Sequence, residues 1–324
     1  MSGRQTKNTD SLSLSLPLSL TMTSPSLDDK GHVEVGGSRG KPFKLFYQRT
    51  GNGPRKVLLI MGLNSPGAGW APVVEHFAKN PEFTTVFFDN RGVGFSDAPK
   101  GLYSTSQMAQ DTLELLDALG WTSNVHVAGV SMGGMISLEL VLADPKRFSS
   151  LVLTSTNAGR SPPMLVTVSF LARVILMKDP DLRIKLIAET LYPAKWLEQA
   201  PKDLAYSTNR EMVAASLKQR FASIPVQPLH ANIAQSWAAL FHHVSSARLT
   251  QIKESALPVL VVTGTEDKFV RPSGSYHLAK ELGCPLVVFE GSGHALPGEQ
   301  TETYCRFIEE LVNNGRDGVF ELTK

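Results

Sequence analysis

The chain has 324 residues, 42% hydrophobic and 19% charged, long enough for one large domain or two with a sizeable buried core. Its 32 Lys+Arg against 30 Asp+Glu leave a net charge of +2, too little for a general attraction to nucleic acid or to acidic membranes. No run of about 18 apolar residues occurs, which argues against a transmembrane helix and integral membrane association, and two cysteines, Cys284 and Cys305, outside any CxxC or Cys/His cluster support neither a disulfide scaffold nor a metal site.

Residues 1–30 alternate Ser and Leu through Ser11–Leu20 and read as a disordered tail. Ser at every second position from Ser11 to Ser15 interrupts what a secretory signal would need as a continuous apolar core. Arg4 and Lys7 precede the first acid, Asp10, so an organelle transit peptide is the functional alternative to a cytoplasmic location. From Val33 onward, short apolar runs bounded by turn residues alternate with segments of helical period, the pattern of an α/β fold with a mostly parallel sheet. Strands are expected at Lys44–Tyr47, Val57–Met61, Thr85–Phe88, Val125–Val130, Leu151–Thr154, Val259–Thr263 and Leu286–Phe289. Parallel strands covered on both faces carry unbroken apolar runs, as most of these do. A helix before Val125 is delimited by a Ser104/Gln107 capping box and by Gly120, with Met108, Leu115, Leu116 and Leu119 as its buried stripe. Between Gly159 and Lys253 the pattern is helical only and punctuated by seven prolines. The expected organisation is therefore a tail of 1–30, a core of 31–158 and 254–324, and a helical lid of 159–253 inserted after the fifth of these strands.

Gly129-Val130-Ser131-Met132-Gly133 matches G-x-S-x-G, a turn that presents a nucleophilic serine at a strand tip. The pattern alone is weak, since a chain of this composition shows it by chance about 0.2 times, and Gly36–Gly40 matches as well. Context separates them. Ser131 follows a buried strand and precedes a helix over Met135–Ala143, whereas Ser38 has neither neighbour and reads as a hairpin turn. A serine needs a base and an imidazole needs a carboxylate, in the chain order Ser, acid, His. Asp267 lies in the loop after Val259–Thr263, with Glu266 as its rival, and His294 lies in a Gly-rich loop after Leu286–Phe289. The loop Ser155–Ala158 offers no carboxylate, and the other seven histidines sit elsewhere. His242-His243 does not suggest a metal, because adjacent helical residues diverge and no third ligand is evident. For the developing oxyanion, the amides of Met132 and Leu63 are the candidates, with Gly62 expected to take a backbone geometry that turns Leu63 inward.

Met61-Gly62-Leu63, the loop Asp89–Asp97, Gly129–Gly134, Gly264 with Asp267, and Gly293-His294 together resemble the α/β-hydrolase superfamily. The resemblance spans residues 31–314 and is to its lid-bearing serine hydrolases, among them esterases and enol-lactonases. It implies catalysis by Ser131, Asp267 and His294 without a cofactor, on a small-molecule ester or lactone, and a structural role for Asp89–Asp97. Met61 stands where relatives usually have His before the oxyanion glycine. A nucleophilic Ser rather than Asp argues against the epoxide hydrolase and haloalkane dehalogenase branches. A C–C bond hydrolase, an amidase, a cofactor-free perhydrolase or a ligand receptor could use the same three residues. The apolar lid residues Phe170, Leu171, Ile175, Leu176, Met177, Leu186, Trp196, Trp237 and Phe241 suggest an apolar pocket or simple packing between lid helices.

Overall fold

The computed structural model describes residues 29–159, 164–177 and 179–322, apart from the side chains of Val168, Ile175 and Leu176. The expected tail therefore lies outside the described residues up to Leu27-Asp28, while Asp29 and Lys30 already belong to a strand. Eight strands form one sheet, β1 Asp29–Val35, β2 Phe43–Thr50, β3 Arg55–Ile60, β4 Phe83–Phe88, β5 Val125–Val130, β6 Phe148–Thr154, β7 Val259–Gly264 and β8 Leu286–Phe289. Their order is β1-β2-β4-β3-β5-β6-β7-β8, antiparallel at the first two pairings and parallel from there on.

Why the central strands read as unbroken apolar runs follows from the pleat. In β3, Leu58 and Ile60 join one core while Val57 and Leu59 join the other, since successive side chains point to opposite faces. The first core is closed by α2 Thr105–Ala118, α3 Met132–Ala143, α9 Ser246–Glu254 and α10 Pro272–Leu282, through residues such as Met108, Ile136, Leu249 and Leu278. The second is closed by α1 Ala71–Phe77 and α12 Thr301–Asn314, through Phe77, Tyr304, Phe307 and Leu311. In α2 the expected capping box is present: Gln107 N donates to Ser104 Oγ at 3.1 Å and Ser104 N to Gln107 Oε1 at 3.2 Å. Its C-terminus is closed by Gly120 at φ 68°, as the sequence suggested.

One strand was not foreseen. In β1 only Val33 and Val35 are apolar, and the strand is held by antiparallel pairing with β2 around a short 3-10 turn at Gly37–Arg39. Ser38 thus sits in a hairpin connection, as expected. Its hydroxyl donates to Glu114 Oε1 at 2.6 Å.

The described residues between β6 and β7 contain helices α4 Leu165–Leu176, α5 Pro180–Leu191, α6 Ala194–Leu197, α7 Asn209–Ser223 and α8 Leu229–Leu240 before α9. α5, α6 and α7 share a small cluster of their own around Ala188, Leu197 and Val213. α9 enters the main core through Leu249 and Ile252, as α8 does through Ala234 and Ala238, so the expected boundary after Lys253 falls inside a helix that packs with the core. A short α11, Leu296–Glu299, precedes α12.

Candidate active site

Ser131 sits between β5 and α3 at φ 57° and ψ −123°, a conformation that costs a non-glycine residue about 1–3 kcal/mol and persists only when neighbours enforce it. Those neighbours can be named. Ser131 N donates to Thr154 O at 2.9 Å, and Thr156 Oγ1 donates to Ser131 O at 2.7 Å. The helix must also approach the strands closely: a Cβ on Gly129 would lie 2.5 Å from Gly133 O, and one on Gly133 would lie 2.0 Å from Ile60 O.

His294 Nδ1 lies 2.8 Å from Asp267 Oδ2, both side chains being buried. A carboxylate only accepts, so Nδ1 carries the hydrogen and the lone pair is left on Nε2. The other carboxylate oxygen, Oδ1, accepts from Phe269 N and Val270 N, each at 2.8 Å, which fixes its orientation. Glu266 has no such contact with the imidazole; its backbone N–H donates to Ser292 O. The imidazole loop is tied to the helical insertion by His294 N and Ala295 N, which donate to Leu191 O at 2.9 and 3.1 Å. From behind, Gly293 N donates to the Glu299 carboxylate, and burial pushes that carboxyl up to about 8, with Asp267 and Glu266 nearby adding in the same direction.

Ser131 and His294 line the same cavity, as does Leu63. No hydrogen bond joins the Ser131 hydroxyl to His294 among the described residues; such contacts are often looser before substrate binds. Neither Leu63 N–H nor Met132 N–H has a hydrogen-bond partner among the described residues, which leaves two donors beside the serine. Gly62 has a φ outside the left-handed region, and its backbone comes close to the serine: a Cβ there would lie 3.0 Å from Ser131 Cβ and 3.2 Å from Val130 O.

With Met61 in place of the usual His, the loop after β3 is anchored by other means. Asn90 Nδ2 donates to Met61 O at 3.0 Å, Gln235 accepts from Asn64 N at 2.8 Å, and Gln227 Nε2 donates to Asn64 Oδ1 at 2.9 Å. Gln235, fully buried on α8, also donates to Arg91 O at 2.7 Å and so links this loop to Asp89–Asp97. That second loop is a framework. Asp89 accepts from Gly67 N and Phe95 N, and Arg91 grips Asp111 through two bonds of 2.6 Å.

The cavity has two chambers that both reach Ser131, Leu63, Leu171 and Phe269. The larger, of about 210 Å³, adds Val174, Ile187, Leu217, Phe221, Arg183 and Arg220; the smaller, of about 110 Å³, adds Met135, Asn157, Met164 and Leu240. Of the apolar insertion residues singled out in the sequence, Phe170 and Leu171 line the cavity. Trp196 stacks on Tyr192 instead, and Trp237 and Phe241 stack on each other at the surface. The side chains of Ile175 and Leu176 lie outside the described ones. Phe269, 4.9 Å from the His294 ring, carried no signal in the sequence because a lone aromatic in a loop is not a motif.

The other histidine pair has no metal-binding surroundings. His242 is buried against Thr105 Oγ1 at 2.8 Å, and burial lowers its pKa to about 3. No group of three or more metal-ligating side chains occurs among the described residues, and none of their helices is long and apolar enough to cross a membrane.

A family model described as alpha/beta hydrolase fold matches residues 56–300. The chain belongs to the α/β-hydrolase family. This hydrolase is 32% identical over 266 residues to a Caulobacter segnis protein named "Putative carbamate hydrolase RutD", covering 79% of this chain and 92% of that one. Among solved structures, the α/β hydrolase is similar to an esterase from Thermogutta terrifontis (TM-score 0.71, 22% identity, 88% of this chain and 99% of that one). It is also similar to an enol-lactonase from Burkholderia xenovorans (TM-score 0.68, 23% identity, 88% and 100%). At these identities the two structures bear on the fold alone.

Proposed function

We propose that this hydrolase cleaves a carboxylic ester or lactone of a small, largely apolar substrate through an acyl-enzyme on Ser131. The observation that carries the reading is the Asp267–His294 hydrogen bond of 2.8 Å at the wall of the cavity that holds a strained, elbow-borne Ser131. His294 Nε2 takes the hydroxyl proton as Ser131 Oγ adds to the carbonyl carbon. The oxyanion is held by the Leu63 and Met132 N–H groups. Collapse breaks the carbonyl–alkoxy bond, and the alcohol leaves with the proton from His294; in a lactone it stays attached as the far end of the acyl chain. Water then repeats the sequence and frees Ser131. Asp267 keeps Nδ1 protonated and stabilises the imidazolium.

Two chambers meeting at Ser131 suit a substrate with a group on each side of its scissile bond, and the insertion acts as the lid that walls both. The 32% identical relative's name favours a second reading, hydrolysis of a carbamate on the same residues. A panel of esters of graded acyl length, lactones and carbamates, with fluorophosphonate labelling of Ser131, tests the proposal. Multiple turnovers on esters or lactones are expected, and labelling with a single turnover only would favour a ligand receptor. Cys284 and Cys305 are free thiols, in keeping with the cytoplasmic location we propose.

A further inference from the structure

We infer that Arg220, assisted by Arg183, forms a carboxylate-binding subsite in the larger chamber, so that the substrate carries an anionic carboxylate remote from its scissile carbonyl. The inference rests on the ester or lactone reading and narrows it to a substrate class.

Arg91 is bound to Asp111 and Arg248 to Glu139, while Arg210, one helix with Arg220, holds Glu198 at 2.7 Å and Glu189 at 3.2 Å. Arg220 and Arg183 have no ion pair among the described residues, yet both line the cavity that contains Ser131. Arg183 Nε is buried without a hydrogen-bond partner among the described residues, and its guanidinium lies 5.4 Å from the centre of the Phe221 ring. Arg220 Nη1 comes within 3.5 Å of the position a Gly69 Cβ would occupy, beside Met61 at the start of the oxyanion loop. The titratable group that acts on it is the Tyr192 phenol, a neighbour that is neutral below its own raised pKa of about 12.

The Arg220 side chain is half-buried at the cavity wall without a countercharge among the described residues, and burial lowers its pKa. A ligand that supplies the anion relieves this. The planar guanidinium fork matches a carboxylate with two parallel hydrogen bonds, and the remaining wall, with Phe170, Val174, Ile187 and Leu217, offers apolar contact for the chain between the two ends. The geometry describes an amphiphilic acyl or alcohol group with its charge at the far pole.

Two esters of equal length separate the charge from everything else: p-nitrophenyl hexanoate and the p-nitrophenyl monoester of adipic acid. For the wild-type enzyme the ratio of kcat/KM, adipate over hexanoate, is expected above one. In R220Q this ratio should fall about tenfold to a hundredfold. A wild-type ratio below one, or an unchanged ratio in R220Q, overturns the subsite; the wild-type ratio needs no variant and stands should R220Q fail to fold. If the wild type turns over neither ester, the ester reading has failed and equilibrium binding decides the subsite separately. Glutarate should then bind at least about tenfold more tightly than neutral glutaramide by isothermal titration. Equal binding, or none of either, overturns it.

Discussion

Replacing Gly62 by alanine probes how tightly the loop Met61–Asn64 is set against Ser131. The new Cβ would stand 3.0 Å from Ser131 Cβ, 3.2 Å from Val130 O and 3.5 Å from Ser131 Oγ. Carbon atoms rest at about 3.5–4.0 Å, so either the serine or the turn Met61–Asn64 must give by about 0.5 Å. Backbone strain adds nothing, because Gly62 is not in the left-handed region. A displacement of about 1 Å costs roughly a hundredfold where reacting groups are positioned, so half of that corresponds to about tenfold. The overpacking itself costs about 1–3 kcal/mol, or a few degrees in Tm. The assay is kcat on an activated ester together with the rate of fluorophosphonate labelling. Both should fall about tenfold in a protein that still melts cooperatively; wild-type rates in a folded variant would refute the close approach of this loop.

Three further outcomes follow from the same geometry. Asp267→Asn reverses the group facing His294 Nδ1 and should lower kcat roughly a thousandfold or more with little change in KM, measured on the same ester. Gln235→Leu leaves Asn64 N–H and Arg91 C=O without their 2.8 and 2.7 Å partners. At about 1–3 kcal/mol for each of the two unpaired groups, urea denaturation should show a loss of about 2–6 kcal/mol, with a lowered kcat because the loop Met61–Asn64, proposed to hold the oxyanion, loses its anchor. Glu299 has a folded-state pKa raised from 4.5 to about 8, so its contribution to stability is fully present below 4.5 and is lost as pH rises towards 8. Glu299→Gln should therefore gain Tm relative to the wild type at pH 8 more than at pH 5, and an equal difference at both would contradict a buried, neutral carboxyl.

What the sequence made legible was whatever depends on local pattern. Most of the seven expected strands announced themselves because burial on both faces demands unbroken apolar runs, and the elbow was recognisable because strand, strained serine and helix are contiguous. β1 escaped because a strand stabilised by pairing with β2 needs few apolar residues: alternate positions face solvent. Asp267 and His294 could be ranked by their places at strand ends, but the contact between them spans 27 residues and only the fold displays it. Gln235, Arg183 and Arg220 were invisible for a related reason. A glutamine or an arginine on a helix reads as a solvated residue, and only the tertiary structure shows that one is fully buried between two loops and that the others face a cavity without a countercharge. For Trp237 and Phe241 the sequence left open a pocket wall or packing between lid helices, and the end of α8 puts both at the surface, stacked on each other.

The central claim is that Ser131 carries the acyl group during turnover. Rapid quenching of the enzyme with an activated ester, followed by intact-mass and peptide analysis, tests it most directly. The account predicts an adduct of the acyl mass on the peptide containing Ser131, formed within one turnover and absent from Ser131→Ala, which should also be inactive. Turnover without any adduct, or full activity in Ser131→Ala, would contradict it.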